Sequence, residues 1–216
     1  MSHLIDHDTA MHFIEHYQRL LHEVMVHRSF PQDSLDQENS LNALMQARNW
    51  MVEHPQTLQD ALDALHQAKA PVPPDVEQAV RSLRVQRWVY LRDTAHYSIF
   101  LPVTTDEDPQ AYAVKSLTTR LRDMTGCSGM VLSTGLMDYA GGITTDGLIA
   151  PVVYLGPNYR QSYAEYLAQA RALGQFYQKQ LPDKLLAHPV AKPSARRKPT
   201  ASKPVRTAAK TRRKNI

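Results

Sequence analysis

The sequence predicts an α+β protein, with an N-terminal helical bundle followed by a mostly antiparallel sheet that a C-terminal helix covers, and then a disordered basic tail. Three observations carry that prediction. Apolar residues recur at three-and-four spacing as far as Leu83. From Arg87 the pattern changes to short runs rich in Trp, Tyr, Val, Ile and Phe, separated by Gly and Asp turns. Beyond Asp183 there is no Asp or Glu, and Lys, Arg, Pro, Ala, Ser and Thr fill the end of the chain. The expected organisation is a helical region over 1–70, a sheet module over 71–180 and a tail over 181–216.

The first helix is expected from Ala10, capped by Asp8 or Thr9, with Ile14, Tyr17, Leu21 and Val24 on its apolar face. A second helix covers Ser34 to Val52 and presents Leu41, Leu44, Met45 and Met51, and Pro55 ends it. Thr57 and Asp60 stand at capping-box spacing before a third stripe of Leu58, Ala61, Leu62 and Leu65. Residues 70–74, Ala-Pro-Val-Pro-Pro, form a stiff break. Asp75 to Leu83 then makes a short helix with Val76, Ala79, Val80 and Leu83 on one side.

Arg87–Arg92 and His96–Val103, joined by Asp93-Thr94-Ala95, predict an antiparallel hairpin. After an acidic loop at 104–109, Ala111–Leu117 suits a strand running into a helical turn at Thr118–Met124, although a single helix fits nearly as well. Gly126 and Gly129 bracket a turn, Met130–Tyr139 reads as a strand and Gly141-Gly142 as a hairpin turn. Ile143–Leu155 reads as a long strand interrupted at Asp146-Gly147, where the dipeptide favours positive φ and hence a bulge or turn. The last helix opens with the capping box Ser162-x-x-Glu165 and presents Tyr163, Tyr166, Leu167, Ala170, Leu173 and Tyr177, with Gly174 a cost inside it.

Part of this pattern resembles a known module. The run HYSIFLPV, then AYAVKSLTTRL, VLSTGLMDYAGGITTDGLI and VVYLGPNYRQSYAEY, over about residues 96–174, is similar to a sheet module of uncharacterised bacterial proteins. Lys115-Ser116 stands where that module has a glycine, and the glycine after Tyr139 is displaced by Ala140. The resemblance implies a sheet and no chemistry.

Charge divides the chain. Residues 192–216 hold Lys192, Arg196, Arg197, Lys198, Lys203, Arg206, Lys210, Arg212, Arg213 and Lys214, ten cations with no anion. The other 191 residues hold 15 Lys plus Arg against 21 Asp plus Glu, a net of −6. The tail has too little apolar surface to offset the entropy of ordering, and its Lys-Pro pairs oppose helix. Its composition is similar to that of linker-histone-like and nucleoid-associated tails. No apolar run is long enough to span a membrane, and Asp6, Asp8 and Glu15 sit where a signal peptide would be apolar, so a cytoplasmic protein is expected. Cys127, the only cysteine, excludes an internal disulfide framework.

Four groups of residues are candidates for chemistry. His12-Phe13-Ile14-Glu15-His16 is an H-x-x-E-H, and MHFIEH resembles the zinc helix of pitrilysin-type peptidases, which implies a zinc shared by His12 and His16, Glu15 acting on its water, and a downstream acid such as Glu77 or Asp93 as third ligand. The competing reading places His12, His16, Arg19, Glu23 and His27 on a solvated face opposite the apolar stripe. Gly126-Cys127-Ser128-Gly129 offers a thiol with His96 as the sheet region's histidine, or simply a tight turn. It also matches a G-x-x-G loop, but lacks the basic middle pair. Asp93, Asp123, Asp138 and Asp146 show no spacing that fixes a dyad. Trp88, Tyr90, Tyr97, Phe100, Tyr112, Tyr139 and Tyr154, with Arg87, Arg92 and Lys115 among them, would form a stacking platform if exposed and a core if buried beneath a helix.

The expectation from sequence is therefore a non-enzymatic protein without metal or cofactor, whose tail binds nucleic acid without regard to sequence. A protein-binding adaptor with an incidental tail is the alternative, and a zinc hydrolase built on His12, Glu15 and His16 a further one.

Overall fold

The computed structural model describes residues 3–26, 40–104 and 108–182. The ten tail cations, His27, the expected start of the second helix at 34–39 and the centre of the acidic loop lie outside the described residues. In chain order the elements are α1 (His7–Val26), α2 (Ser40–Glu53), α3 (Pro55–Gln67), α4 (Pro74–Ser82), β1 (Arg84–Asp93), β2 (Ser98–Pro102), β3 (Ala111–Lys115), α5 (Leu121–Thr125), β4 (Met130–Tyr139), β5 (Gly142–Thr145), β6 (Ala150–Tyr154), α6 (Pro157–Ala172) and β7 (Phe176–Tyr177). The order is the predicted α+β one, helices first and strands after.

Local rules explain the helices and correct several expectations. Asp6 caps α1, two residues before the expected cap: its Oδ2 accepts from the Thr9 N–H and from Thr9 Oγ1, both at 3.1 Å. The buried stripe of α1 is Ala10, Phe13, Tyr17, Leu20, Leu21 and Val24. In α2 the fully buried residues are Ala43, Ala47, Arg48 and Met51; of the expected stripe Met51 is buried, Leu44 and Met45 pack half-buried against the core, and Leu41 is left exposed. α3 starts at Pro55, a residue suited to a first turn because its missing N–H would have no partner there. Thr57 and Asp60 therefore fall inside the helix, with Thr57 buried and Asp60 accepting from Gln56, and form no capping box. α4 buries Val76, Ala79 and Val80, with Leu83 just after it, as predicted.

The strands close on themselves. β1, β2 and β3 run as an antiparallel meander, and β4 returns to pair with the free side of β1, from Arg84↔Leu136 to Tyr90↔Met130. The spatial order 4-1-2-3 is a Greek key. β5 forms a hairpin with β4 and lies parallel to β3 through Val114↔Ile143 and Lys115↔Thr144, which completes a ring β1-β2-β3-β5-β4. β6 continues along the same side of β4 as β5, and β7 adds to β3, so the predicted interruption at Asp146-Gly147 separates two strands that share one partner.

Alternation sorts the side chains of the ring. Trp88, Tyr90, Phe100, Tyr112, Val114, Met130, Leu132, Leu136 and Ile143 fill its interior, and Leu121 of α5 packs with them. The outer face of β1, β2 and β3 presents Val89, Leu91, Ile99, Leu101 and Ala111 to Tyr163, Tyr166, Leu167 and Ala170 of α6. On the other side α1–α4 pack against Leu83, Leu117, Met137, Tyr139 and Leu148, with the rings of Phe13 and Tyr139 5.0 Å apart. α6 begins at Pro157, ahead of the expected Ser162 box, and the Ser162 hydroxyl instead donates back to the Asn158 carbonyl. The helix stops before Leu173, which is exposed, and Gly174 at φ +70° follows its end, so this glycine terminates the helix and Tyr177 belongs to β7.

The β4–β5 turn is one residue earlier than predicted. Tyr139 pairs with Gly142, so Ala140 and Gly141 form the turn with φ of +52° and +69°. A two-residue turn of type I′ needs positive φ at both positions, and alanine meets that demand only against its Cβ. Replacing Ala140 with Gly removes the clash. The substitution is expected to stabilise the fold by about 0.5–1 kcal/mol, read as a higher urea midpoint at unchanged slope.

Candidate functional site

The most unusual chemistry of the described residues is a buried ion pair where the helices meet the barrel. Arg48 of α2 and Asp146, just past β5, are both almost fully buried, with Arg48 Nη1 3.0 Å from Asp146 Oδ2 and 2.8 Å from the Leu148 carbonyl. The N–H groups of Gly135 and Leu148 donate to Asp146 Oδ1 at 3.2 and 3.1 Å, Thr134 Oγ1 donates to it at 3.3 Å, and the Tyr17 hydroxyl reaches Oδ2 at 3.5 Å. Burial pushes the Asp146 carboxyl above the usual carboxylate range, while Arg48 and the two backbone N–H groups pull it back. Gly135 is what allows this approach: a Cβ there would stand 2.7 Å from Asp146 Oδ2 and 2.6 Å from Leu83.

Beside the pair lies a cavity of about 220 Å³ between α1, α2 and the loops after β3 and β5, walled by Ile14, Leu21, Leu44 and Leu117 with Asp146 at its edge. Every oxygen of that carboxylate already accepts from the protein, so it is held as structure and has no lone pair left over for general-base work. A second, more polar cleft of about 330 Å³ is lined by Thr9, Asp75, Asp138, Tyr139 and Lys179. There the Tyr139 hydroxyl donates to the Thr9 carbonyl at 3.1 Å, and burial pushes its pKa up to about 12.

The H-x-x-E-H helix does not assemble the predicted ligands. His12 Nε2 lies 3.4 Å from Asp75, a residue not among the expected acids, and His16 Nδ1 contacts the Arg19 guanidinium. Burial, then Arg19 and His12, lower the His16 pKa. Glu77 is engaged by Arg81, and Asp93 accepts from Tyr90 and Ser98 at 2.7 Å each. Among the described residues no three His, Cys, Asp or Glu side chains are arranged to hold a metal. The solvated-face reading is corrected as well: His12, His16, Arg19 and Glu23 are half-buried flanks, while Met11, Glu15, Gln18 and His22 are the exposed positions.

Cys127 packs partly buried against the barrel filling, with Thr125 Oγ1 donating to its carbonyl at 2.8 Å, which fits the turn reading. The carboxylates are dispersed: Asp93 clamps the β1–β2 hairpin, Asp123 is exposed, Asp138 accepts from the Leu181 N–H at 2.7 Å and Asp146 is paired with Arg48. The aromatic platform is not there. Trp88, Tyr90, Phe100, Tyr112 and Tyr139 are buried, four of them inside the ring instead of under α6. Five-stranded Greek-key barrels that hold oligonucleotides do so on the outer face of strands two and three. In this protein α6 occupies that face.

No protein-family model, curated protein or solved structure matches the chain. No helix among the described residues is long and apolar enough to cross a membrane. Sequence reasoning missed Arg48 because it looked for apolar residues. The spacing of Ala43, Ala47 and Met51 about it marks the same face and could have shown that an arginine is turned inward.

Arg48→Met leaves Asp146 buried without its cation and should cost about 3–5 kcal/mol at neutral pH, measured by urea unfolding. The variant's Asp146 pKa is then raised further above its unfolded value, so the native state takes up a proton as pH falls. Its deficit relative to the unmodified protein should shrink between neutral pH and pH ~4. A deficit that stays constant over that range would show that the carboxylate is not the group left uncompensated.

Proposed function

We propose that this is a non-enzymatic cytoplasmic protein that binds nucleic acid through the cations from Lys192 to Lys214, while its compact part makes protein contacts. The observation that carries the reading is the charge segregation: ten cations and no anion over residues 192–216, joined to a remainder of net −6. A cation-rich stretch of this kind can lie along a polyphosphate and release its condensed counterions. The compact part supports the division of labour, because Trp88, Tyr90, Phe100 and Tyr112 are buried inside the ring and α6 covers the outer face of β1, β2 and β3. Recognition would be blind to base sequence. The single cysteine, which leaves no disulfide framework, suits a reducing compartment.

Deletion from residue 186 onward tests this. The full chain should bind duplex DNA with a dissociation constant of about 10⁻⁴ to 10⁻⁶ M at physiological salt. A log–log salt slope near −9 is expected if all ten cations engage. The shortened chain should lose that binding, and retention of the same slope would place the contact elsewhere on the protein.

A further inference from the structure

The cavity beside the Arg48–Asp146 pair is lined by hydrogen-bonding groups that the rest of the protein does not use. Ser116 and Thr145 both line it, and they are 3 and 1% exposed. Ser116 directly follows β3 and Thr145 ends β5, and these parallel strands pair at Lys115↔Thr144. The two side chains therefore project on the same side of chains about 4.8 Å apart. Among the described residues neither hydroxyl has a hydrogen-bond partner. Tyr17 lines the same cavity, donates its hydroxyl to Asp146 at 3.5 Å and accepts no bond on its oxygen. Burial pushes the Tyr17 hydroxyl well above its usual range, so it stays neutral. Buried hydroxyls are ordinarily bonded, and a cluster of unused ones around an apolar cavity marks the place of a polar partner.

The walls narrow the chemistry of that partner. Ile14, Leu21, Leu44, Leu117 and Leu148 are apolar, so most of the guest's surface is apolar too. No Lys, His or Arg is among the lining residues, and Arg48 Nη1 and Nε are committed to Asp146, the Leu148 carbonyl and Asn49. An anion would meet the Asp146 carboxylate without a counter-charge, and a cation would have to compete with Arg48. A cavity of about 150 Å³ with aliphatic walls holds benzene, so the volume here, about 220 Å³, admits a bicyclic molecule. Leu41 and Met124, 45 and 48% exposed, also line it and give such a molecule an apolar way in. We propose that this cavity binds a small, uncharged, largely apolar molecule whose single N–H or O–H is received by the hydroxyls of Ser116 and Thr145. The inference does not rest on the tail or on its binding to nucleic acid.

Indole and its carbon isostere indene are the probes, titrated calorimetrically into the full chain at neutral pH. Indole is expected to saturate at one site per chain with a dissociation constant of about 10⁻⁴ M, as suits a ligand of about nine non-hydrogen atoms. At tenfold excess over that constant, the folded-to-unfolded ratio in urea should rise about elevenfold. Indene, which lacks the N–H, should bind about tenfold more weakly, and an indole carboxylate should not bind measurably. The double variant Ser116→Ala, Thr145→Val removes both hydroxyls at nearly constant shape. It should lower the affinity for indole to that for indene and leave indene unaffected. Leu44→Trp, which fills the cavity from a half-buried position, should abolish both. Absence of saturable indole binding, equal affinity for indole and indene in the unmodified chain, or a double variant that still prefers indole would each overturn the proposal. The first result would make the cavity a hydration site, with ordered waters bonded to Ser116 and Thr145.

Discussion

The architecture turns on bringing an arginine and an aspartate, 98 residues apart in sequence, together out of water. Removing two charges from solvent is costly, and attraction between them repays it only when the remaining lone pairs and protons are satisfied. The Asp146 site meets that condition through five donors drawn from α1, α2, β4 and the loop after β5. Three otherwise unrelated features follow from it. α2 turns its arginine inward and leaves Leu41 outside, β4 carries a glycine in mid-strand, and the chain breaks between β5 and β6 with Gly147 at φ +82°. The pair thus sets how the helical layer is registered on the barrel.

The ring answers a different requirement. β2, β3 and β5 are short, and a small sheet with one wet face would leave large aromatics half-exposed. Closing it places Trp88, Tyr90, Phe100 and Tyr112 around a common centre, where their polar ends still find partners: Trp88 Nε1 donates to the Thr134 carbonyl, Tyr90 to Asp93 and Tyr112 to Gln110. The outer face is then aliphatic and suits a single covering helix, and Tyr163 of α6 fixes that cover by donating to the Val103 carbonyl at 2.6 Å.

Much of this was legible from local pattern. Period-2 runs gave β4 to the residue and placed β1 and β2 closely, Ala111–Leu117 fitted strand and helix nearly alike and is the strand β3 over Ala111–Lys115, and three-and-four spacing identified the buried stripes of α1, α3 and α4. What the pattern could not carry is long-range. Ring closure depends on β1 using both of its edges and on a parallel contact between β3 and β5, neither of which leaves a mark in a window of ten residues. Helix starts were misplaced where a side-chain cap was expected and a proline opened the helix instead, as at Pro55 and Pro157. Site residues fared worse. An H-x-x-E-H string reads as a metal site only if its surroundings supply a third ligand, and His12 and His16 face an aspartate and an arginine. The ten tail cations were evident from composition alone and lie beyond the residues that the structure describes.

A barrel closed in this order has a consequence for its making on the ribosome. The free side of β1 has no partner until β4 has been synthesised, some three dozen residues after Asp93, and β3 waits a shorter stretch, from Lys115 to Gly142, for β5. At about 5–20 residues per second, the nascent meander must survive for roughly two to seven seconds with an unpaired, aromatic-rich margin. That interval is when chaperone capture or misassembly with a neighbouring nascent chain would compete with folding.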